Sequence, residues 1–194
     1  MKPRKIPRKI PKSFWFSVLI IGLMVFSTLG VIFFGFSSEN ERINYNGFVF
    51  LKTQQGWKTT INNKELYFRN VPLQLESINV SRDILNRLDV IEIDVTSDFN
   101  STLNQGIASV VFDMNQKLRL RNIYVRDGFT TNTTYSKPII KCEDYSDAVP
   151  VILIQKSENM SIEFENCIVI DARIGDDLST LTERIVYYLL GVME

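Results

Sequence analysis

No histidine occurs anywhere in the 194 residues, and no acidic residue precedes Glu39. The first absence removes the commonest general base, the usual pH switch and the commonest metal ligand. Serine and cysteine nucleophiles need a neighbouring base, so Ser-His-Asp and Cys-His sites are excluded. A Ser-Lys dyad is formally open, but no spacing singles one out. Cysteine is nearly absent too: Cys142 and Cys167 are the only two, too few with no histidine for a zinc site. The nine glycines form neither GxGxxG nor a GK[ST]-ending phosphate loop. Heptads and solenoid repeats are missing as well. Nothing here designates a catalytic residue, a cofactor site or a metal site.

The second absence has a mirror image. Six of the 22 basic residues, Lys2, Arg4, Lys5, Arg8, Lys9 and Lys12, lie at the start of the chain, and all 22 acids lie beyond it. The zero overall charge therefore hides a split. After the basic tail, 16 bases stand against 22 acids, a net charge near −6. A weakly acidic domain is a poor partner for nucleic acid, whose phosphates call for clustered Lys and Arg.

What is present is one long apolar run. Residues 14–36 read FWFSVLIIGLMVFSTLGVIFFGF, without a charge. A bilayer core about 30 Å thick needs roughly 20 apolar residues in a helix. The run is long enough to cross, with some tilt. Residues 1–13 form the basic tail, in which Pro3, Pro7 and Pro11 forbid a continuous helix. Positive flanking charge stays on the cytoplasmic side, so the tail is expected inside and everything after the span outside. The tail would also be drawn to anionic headgroups of the inner leaflet. A cleavable signal peptide would have a shorter apolar region ending in small residues. This run holds no alanine and ends in Phe33, Phe34 and Phe36, which favours a permanent anchor. Its expected partner is the lipid bilayer itself.

Two weak signals agree with export. In an oxidising compartment the two cysteines would form one disulfide, closing a loop of about 25 residues and stabilising by about 3 kcal/mol in the chain-entropy model. Two buried free thiols are the alternative. Four N-x-[ST] sequons, at Asn79, Asn100, Asn132 and Asn159, all follow the span. About two would arise by chance, so the motif supports export mildly.

The remainder predicts an α/β domain over 45–194, joined to the span by a polar linker at 37–44 (SENER and its neighbours). Aromatic and β-branched residues separated by Gln54-Gln55-Gly56 and Asn62-Asn63 predict a three-stranded antiparallel meander over 45–51, 57–61 and 65–68, stopped at Pro72. Ser81 is a helix N-cap with Ile84, Leu85 and Leu88 behind it. Val90–Val95 alternates as a strand. Leu103, Ile107, Val110, Val111, Met114 and Leu118 recur in steps of three and four, giving an amphipathic helix over 100–118. Ile123–Val125 returns as a strand, completing a right-handed βαβ unit. A polar loop at 128–136 leads to a short strand start at 138–142, a buried strand at 148–154, an edge strand at 162–164 and a buried strand at 167–172. A final helix spans 177–190, with Asp176 or Asp177 as N-cap and Gly191 as its stop. The expected architecture is a mixed sheet carrying two main helices, preceded by the meander.

The strings PIIKC, AVPVILI, ENCIVI and the closing RIVYYLLGVM resemble those of a group of uncharacterised membrane-anchored archaeal proteins. NGFVFLKTQQGWKTTINNKELYF is similar to their opening meander. The resemblance covers most of the exported chain, its motifs are structural, and no activity carries over. It implies pairing of Cys142 with Cys167 and an archaeal cell-surface setting.

Two carboxylate pairs are worth weighing as chemistry. Glu92 and Asp94 share one face of a strand and could act as an acid/base pair or bind a cation. A solvated strand face explains them more simply. Asp176 and Asp177 could bind calcium, but a helix start accounts for both, and no EF-hand spacing is present. Trp57, Tyr45, Tyr67 and nearby phenylalanines could form a binding face, though at strand spacing such rings are more often core. The expected function is a membrane-tethered extracytoplasmic structural or interaction module, without catalysis, whose partner is another envelope or surface protein. The competing expectation is an extracytoplasmic enzyme, or a small-ligand or glycan binder, using carboxylates at strand ends.

Overall fold

The computed structural model describes the backbone of residues 12–35 and 41–194, and the side chains of 15–26 and 41–194. Residues 1–11 of the expected tail, the last residue of the expected span and residues 37–40 of the expected linker lie outside the described residues. Two compact units result, residues 1–40 and 41–194. In the first, helix α1 runs Lys12–Gly35. Its fully described part, 15–26, is shorter than a bilayer requires. Among the described residues no helix is long and apolar enough to cross a membrane.

The second unit opens with a four-stranded antiparallel sheet, β1 (Arg42–Tyr45), β2 (Phe48–Thr53), β3 (Gly56–Ile61) and β4 (Lys64–Phe68), in that order. The expected first strand at 45–51 is therefore two strands. Asn46 and Gly47, both at positive φ (45° and 83°), make the tight turn whose twist suits a two-residue hairpin. Part of the expected linker is likewise structured, because Ile43 pairs with Phe50 and packs against the core. The Asn62-Asn63 turn is as anticipated, with φ 50° and 61°.

Two short helices follow, α2 (Pro72–Leu75) and α3 (Arg82–Arg87). Ser81 caps the latter by accepting the Ile84 N–H at 3.3 Å. Then comes a mixed five-stranded sheet in the order β6-β5-β7-β9-β8. Its strands are β5 (Glu92–Ser97), β6 (Tyr124–Phe129), β7 (Val151–Lys156), β8 (Ser161–Phe164) and β9 (Ile168–Ala172). All are parallel except β8, which runs antiparallel to β9 at the edge. Helix α4 (Asn104–Leu118) links β5 to β6, and α5 (Gly175–Leu189) follows β9.

Strand alternation divides the burial between two faces. Ile93, Val95, Ile152, Ile154, Ile168, Ile170 and Ala172 join the main core with the helices. Val151, Cys167 and Val169 point the other way and are covered by Ile140, Cys142 and Tyr145 from the β6–β7 connection. That connection, expected as a polar loop from 128, starts later, since Gly128 and Phe129 belong to β6. A Cβ on Gly128 would stand 2.7 Å from the Pro138 carbonyl oxygen. Glycine thus lets residues 138–140 run alongside β6, where Phe129 and Ile139 form a parallel bridge.

Helix α5 is buried on nearly every side and reaches both sheets. Tyr187 stacks on Phe68 of β4 at 4.2 Å and meets Phe50 of β2 edge-on at 5.9 Å. The helix starts two residues earlier than expected, with Ile174 as N-cap. Asp177 instead turns back on Arg173, accepting its backbone N–H and its guanidinium. Gly191, at φ 74°, ends the helix as foreseen.

Candidate functional site

The sheet topology singles out one place. The chain leaves β5 into α4 on one face of the sheet, and leaves β6 into the connection that covers the other face. Ligands of open α/β sheets bind outside the carboxyl ends of strands where successive connections part in this way. A cavity of about 280 Å³ opens there. Its base is Ser97 and Phe129, the last residues of β5 and β6, which face each other in register. The first turns of α4 supply Asn104, Gln105, Ile107 and Ala108, and Tyr135 and Lys137 fold over from the β6–β7 connection.

Three rings set its character. Phe99 meets Phe129 edge-on at 5.4 Å and Tyr135 at 5.5 Å. Lys137 is held by two attractions, an ion pair to Asp127 and a position 4.9 Å above the Phe129 ring. The Asn104 amide donates to the Phe99 carbonyl, tying the rim to α4. The result is an apolar crevice with an amide, a hydroxyl and one ion pair at its margin, the composition of a small-molecule site.

A second depression, about 250 Å³, lies between β4, α4 and α5. At its floor sit Glu183 and Lys117, 3% and 4% exposed. Glu183 accepts the backbone N–H of Arg69 at 2.7 Å, that of Asn70 at 2.9 Å and the Asn70 side-chain amide at 2.9 Å. Lys117 lies 3.9 Å from it, bonds to Asp113, and sits 4.1 Å over the Phe68 ring. Burial pushes the Glu183 carboxyl up, against the opposing pull of Lys117 and of those N–H donors. Three accepted N–H bonds hold the β4–α2 turn onto α5, so this cluster reads as a structural brace.

The expected strand carboxylates lie elsewhere. Glu92 and Asp94 do share a face, but it is the face away from α4, and Glu92 is at the amino end of β5. Asp94 is 2% exposed and takes a bidentate grip from Arg126, at 2.7 and 2.5 Å. Arg126 stands opposite it in the parallel register and also approaches Glu92 at 3.6 Å. Sequence reasoning missed Arg126 because cross-strand neighbours in a parallel pair are separated by a whole crossover. It also missed Asp127, the carboxylate that does line the crevice. Asp176 and Asp177 do not act together: Asp177 is held below its usual range by the Arg173 guanidinium, and Asp176 is exposed. Among the described residues, no three acidic or thiol side chains converge as a metal site would need.

Trp57 is core, as the simpler expectation had it, whereas Tyr67 is exposed. The Cys142 and Cys167 sulfurs lie 1.98 Å apart, a disulfide pairing across the second cluster. Asn79, Asn100, Asn132 and Asn159 are all exposed. No family model matches the chain, and no curated protein or solved structure matches it either.

Proposed function

We propose that this chain is a membrane-tethered extracytoplasmic binding module, and that the crevice at the carboxyl ends of β5 and β6 takes a small ligand with an apolar ring face, a pyranose unit of an envelope glycan. The observation that carries the binding reading is the trio Phe99, Phe129 and Tyr135, set at the switch point beside an amide and an ion pair. A pyranose offers C–H groups on one face to aromatic rings and hydroxyls at its margin to groups such as Asn104, Ser97 and Asp127. Non-catalytic action is supported by the absence of histidine and by the commitment of Asp94 to Arg126.

The tether rests on sequence and length. Residues 14–36 carry no charge, and a run of that length exceeds the roughly 20 apolar residues a helix needs to cross a bilayer core. The six bases before it orient the domain outward. The resemblance to membrane-anchored archaeal proteins points the same way.

The binding reading is tested by titrating isotope-labelled full-length protein in detergent micelles with methyl α-glucopyranoside, methyl α-mannopyranoside and N-acetylglucosamine. Saturable shifts are expected at the Phe99, Phe129 and Tyr135 amides and not at Glu92 or Asp94. Phe99→Ala removes ring contact of about 0.5–1.5 kcal/mol, so affinity should fall about two- to tenfold. Shifts absent from the crevice for all three sugars, or unaltered in Phe99→Ala, would overturn it.

A further inference from the structure

The four sequons are scattered along the sequence but not over the fold. Asn100, Asn132 and Asn159 each stand three residues past the end of a strand: β5 ends at Ser97, β6 at Phe129 and β7 at Lys156. Because these strands are parallel, all three asparagines belong to the carboxyl edge of the sheet. Asn79 lies beside the edge strand β8, lining a groove that runs from Met160 and Ser161, just beyond the end of β7, along to Phe164. The segments leading into the parallel strands, residues 88–91, 119–123, 145–150 and 165–167, contain no sequon. One edge is marked and the other is bare.

Two of the four differ in chemistry and place. Asn100 and Asn132 have threonine at the third position, Thr102 and Thr134, whereas Asn79 and Asn159 have Ser81 and Ser161. Threonine sequons are the more readily modified kind. These same two flank the crevice. Asn100 follows Phe99 on the rim formed by 99–104, and Asn132 lies between Phe129 and Tyr135 on the facing rim. Both side chains are exposed, so a glycan can be carried without disturbing the core.

We propose that Asn100 and Asn132 are N-glycosylated, and that the two glycans stand on opposite rims of the crevice. This rests on the extracytoplasmic reading above. With a glycan on each rim, the opening admits a small ligand and turns away a folded partner. Modification joins the asparagine amide nitrogen to the anomeric carbon of a lipid-linked oligosaccharide, releasing the lipid pyrophosphate and the amide proton.

The test translates the full chain, extended by a C-terminal Asn-Ser-Thr tag, in the presence of microsomes, and counts endoglycosidase-sensitive mobility steps. Wild type should show at least three steps, one from the tag, and Asn100→Gln and Asn132→Gln should each remove one. Further steps from Asn79 or Asn159 extend the same marked edge and support the proposal. A modified tag with unmodified Asn100 and Asn132 overturns the proposal while leaving the topology intact. An unmodified tag overturns the topology, and the proposal with it.

Discussion

Replacing Glu183 with alanine should do more damage than any other single change to a charged residue. The carboxylate accepts three N–H groups at 2.7 to 2.9 Å and stands 3.9 Å from Lys117. Its removal leaves the part-buried Arg69 and Asn70 amides without their acceptor. Each buried donor left unpaired costs about 1–3 kcal/mol. The Asn70 side chain can swing away, and Lys117 keeps Asp113 at 2.5 Å, so the sum falls to about 3–5 kcal/mol, the usual cost of breaking a buried pair. Against a total of about 5–15 kcal/mol that is a large share. At about 2–4 °C per kcal/mol, melting should drop by about 6–20 °C.

Chemical and thermal unfolding of the full chain in detergent, followed by circular dichroism and the fluorescence of buried Trp57, would measure it. The pH dependence adds a signature. Burial holds the folded-state carboxyl above its ordinary range, so the unfolded chain gives up this proton first as pH rises. The contribution is full below the ordinary glutamate pKa of about 4.3 and declines as pH climbs through the folded-state value. Glu183→Gln carries no such proton, so the stability advantage of wild type over it should shrink as pH rises from the acid range. A loss under about 1 kcal/mol in Glu183→Ala would refute the brace, and an advantage that grows with pH would show that Lys117 and the N–H donors outweigh burial at this carboxyl.

Two other changes follow from the same geometry. Cys142→Ser should cost about 3 kcal/mol, since the bridge spans 25 residues of sequence, and a non-reducing peptide map should show the two cysteines joined; two alkylatable thiols in native protein would contradict this. Arg126→Ala leaves the buried Asp94 carboxylate without its bidentate partner, but Arg126 is about half exposed (47% for the side chain) and water can enter. The expected loss is about 1–3 kcal/mol in thermal unfolding, with Asp94→Asn/Arg126→Ala together costing less than the sum of the two alone.

Local signals carried most of the fold. The stripe from Ile107 to Leu118, the Ser81 cap, the Asn62-Asn63 turn and the Gly191 stop are written over spans of a few residues, and all of them appear where the pattern puts them. The misses come from two sources. Asn46-Gly47 is a strong hairpin signal that was overrun by the continuous aromatic pattern from Tyr45 to Leu51. The late start of α4 and the early start of α5 go with local side-chain bonds that the apolar periodicity does not register, Asn104 with the Phe99 carbonyl and Asp177 with the Arg173 N–H. The crevice was hardest to foresee. Its rings come from three segments, at 99, 129 and 135, that adjoin only because β5 and β6 pair in parallel. Glu92 and Asp94 drew attention because alternation shows which residues share a face, but it does not say which end of the sheet or which side will be open.

The proposed topology puts the domain outside the membrane and the basic tail inside. Labelling intact cells with a membrane-impermeant amine reagent, followed by peptide mapping, tests it directly. Lys52 and Lys64, both exposed, should be labelled in intact cells, while Lys2, Lys5 and Lys9 should react only after lysis. Labelled tail lysines with protected Lys52 and Lys64 in intact cells would contradict the account.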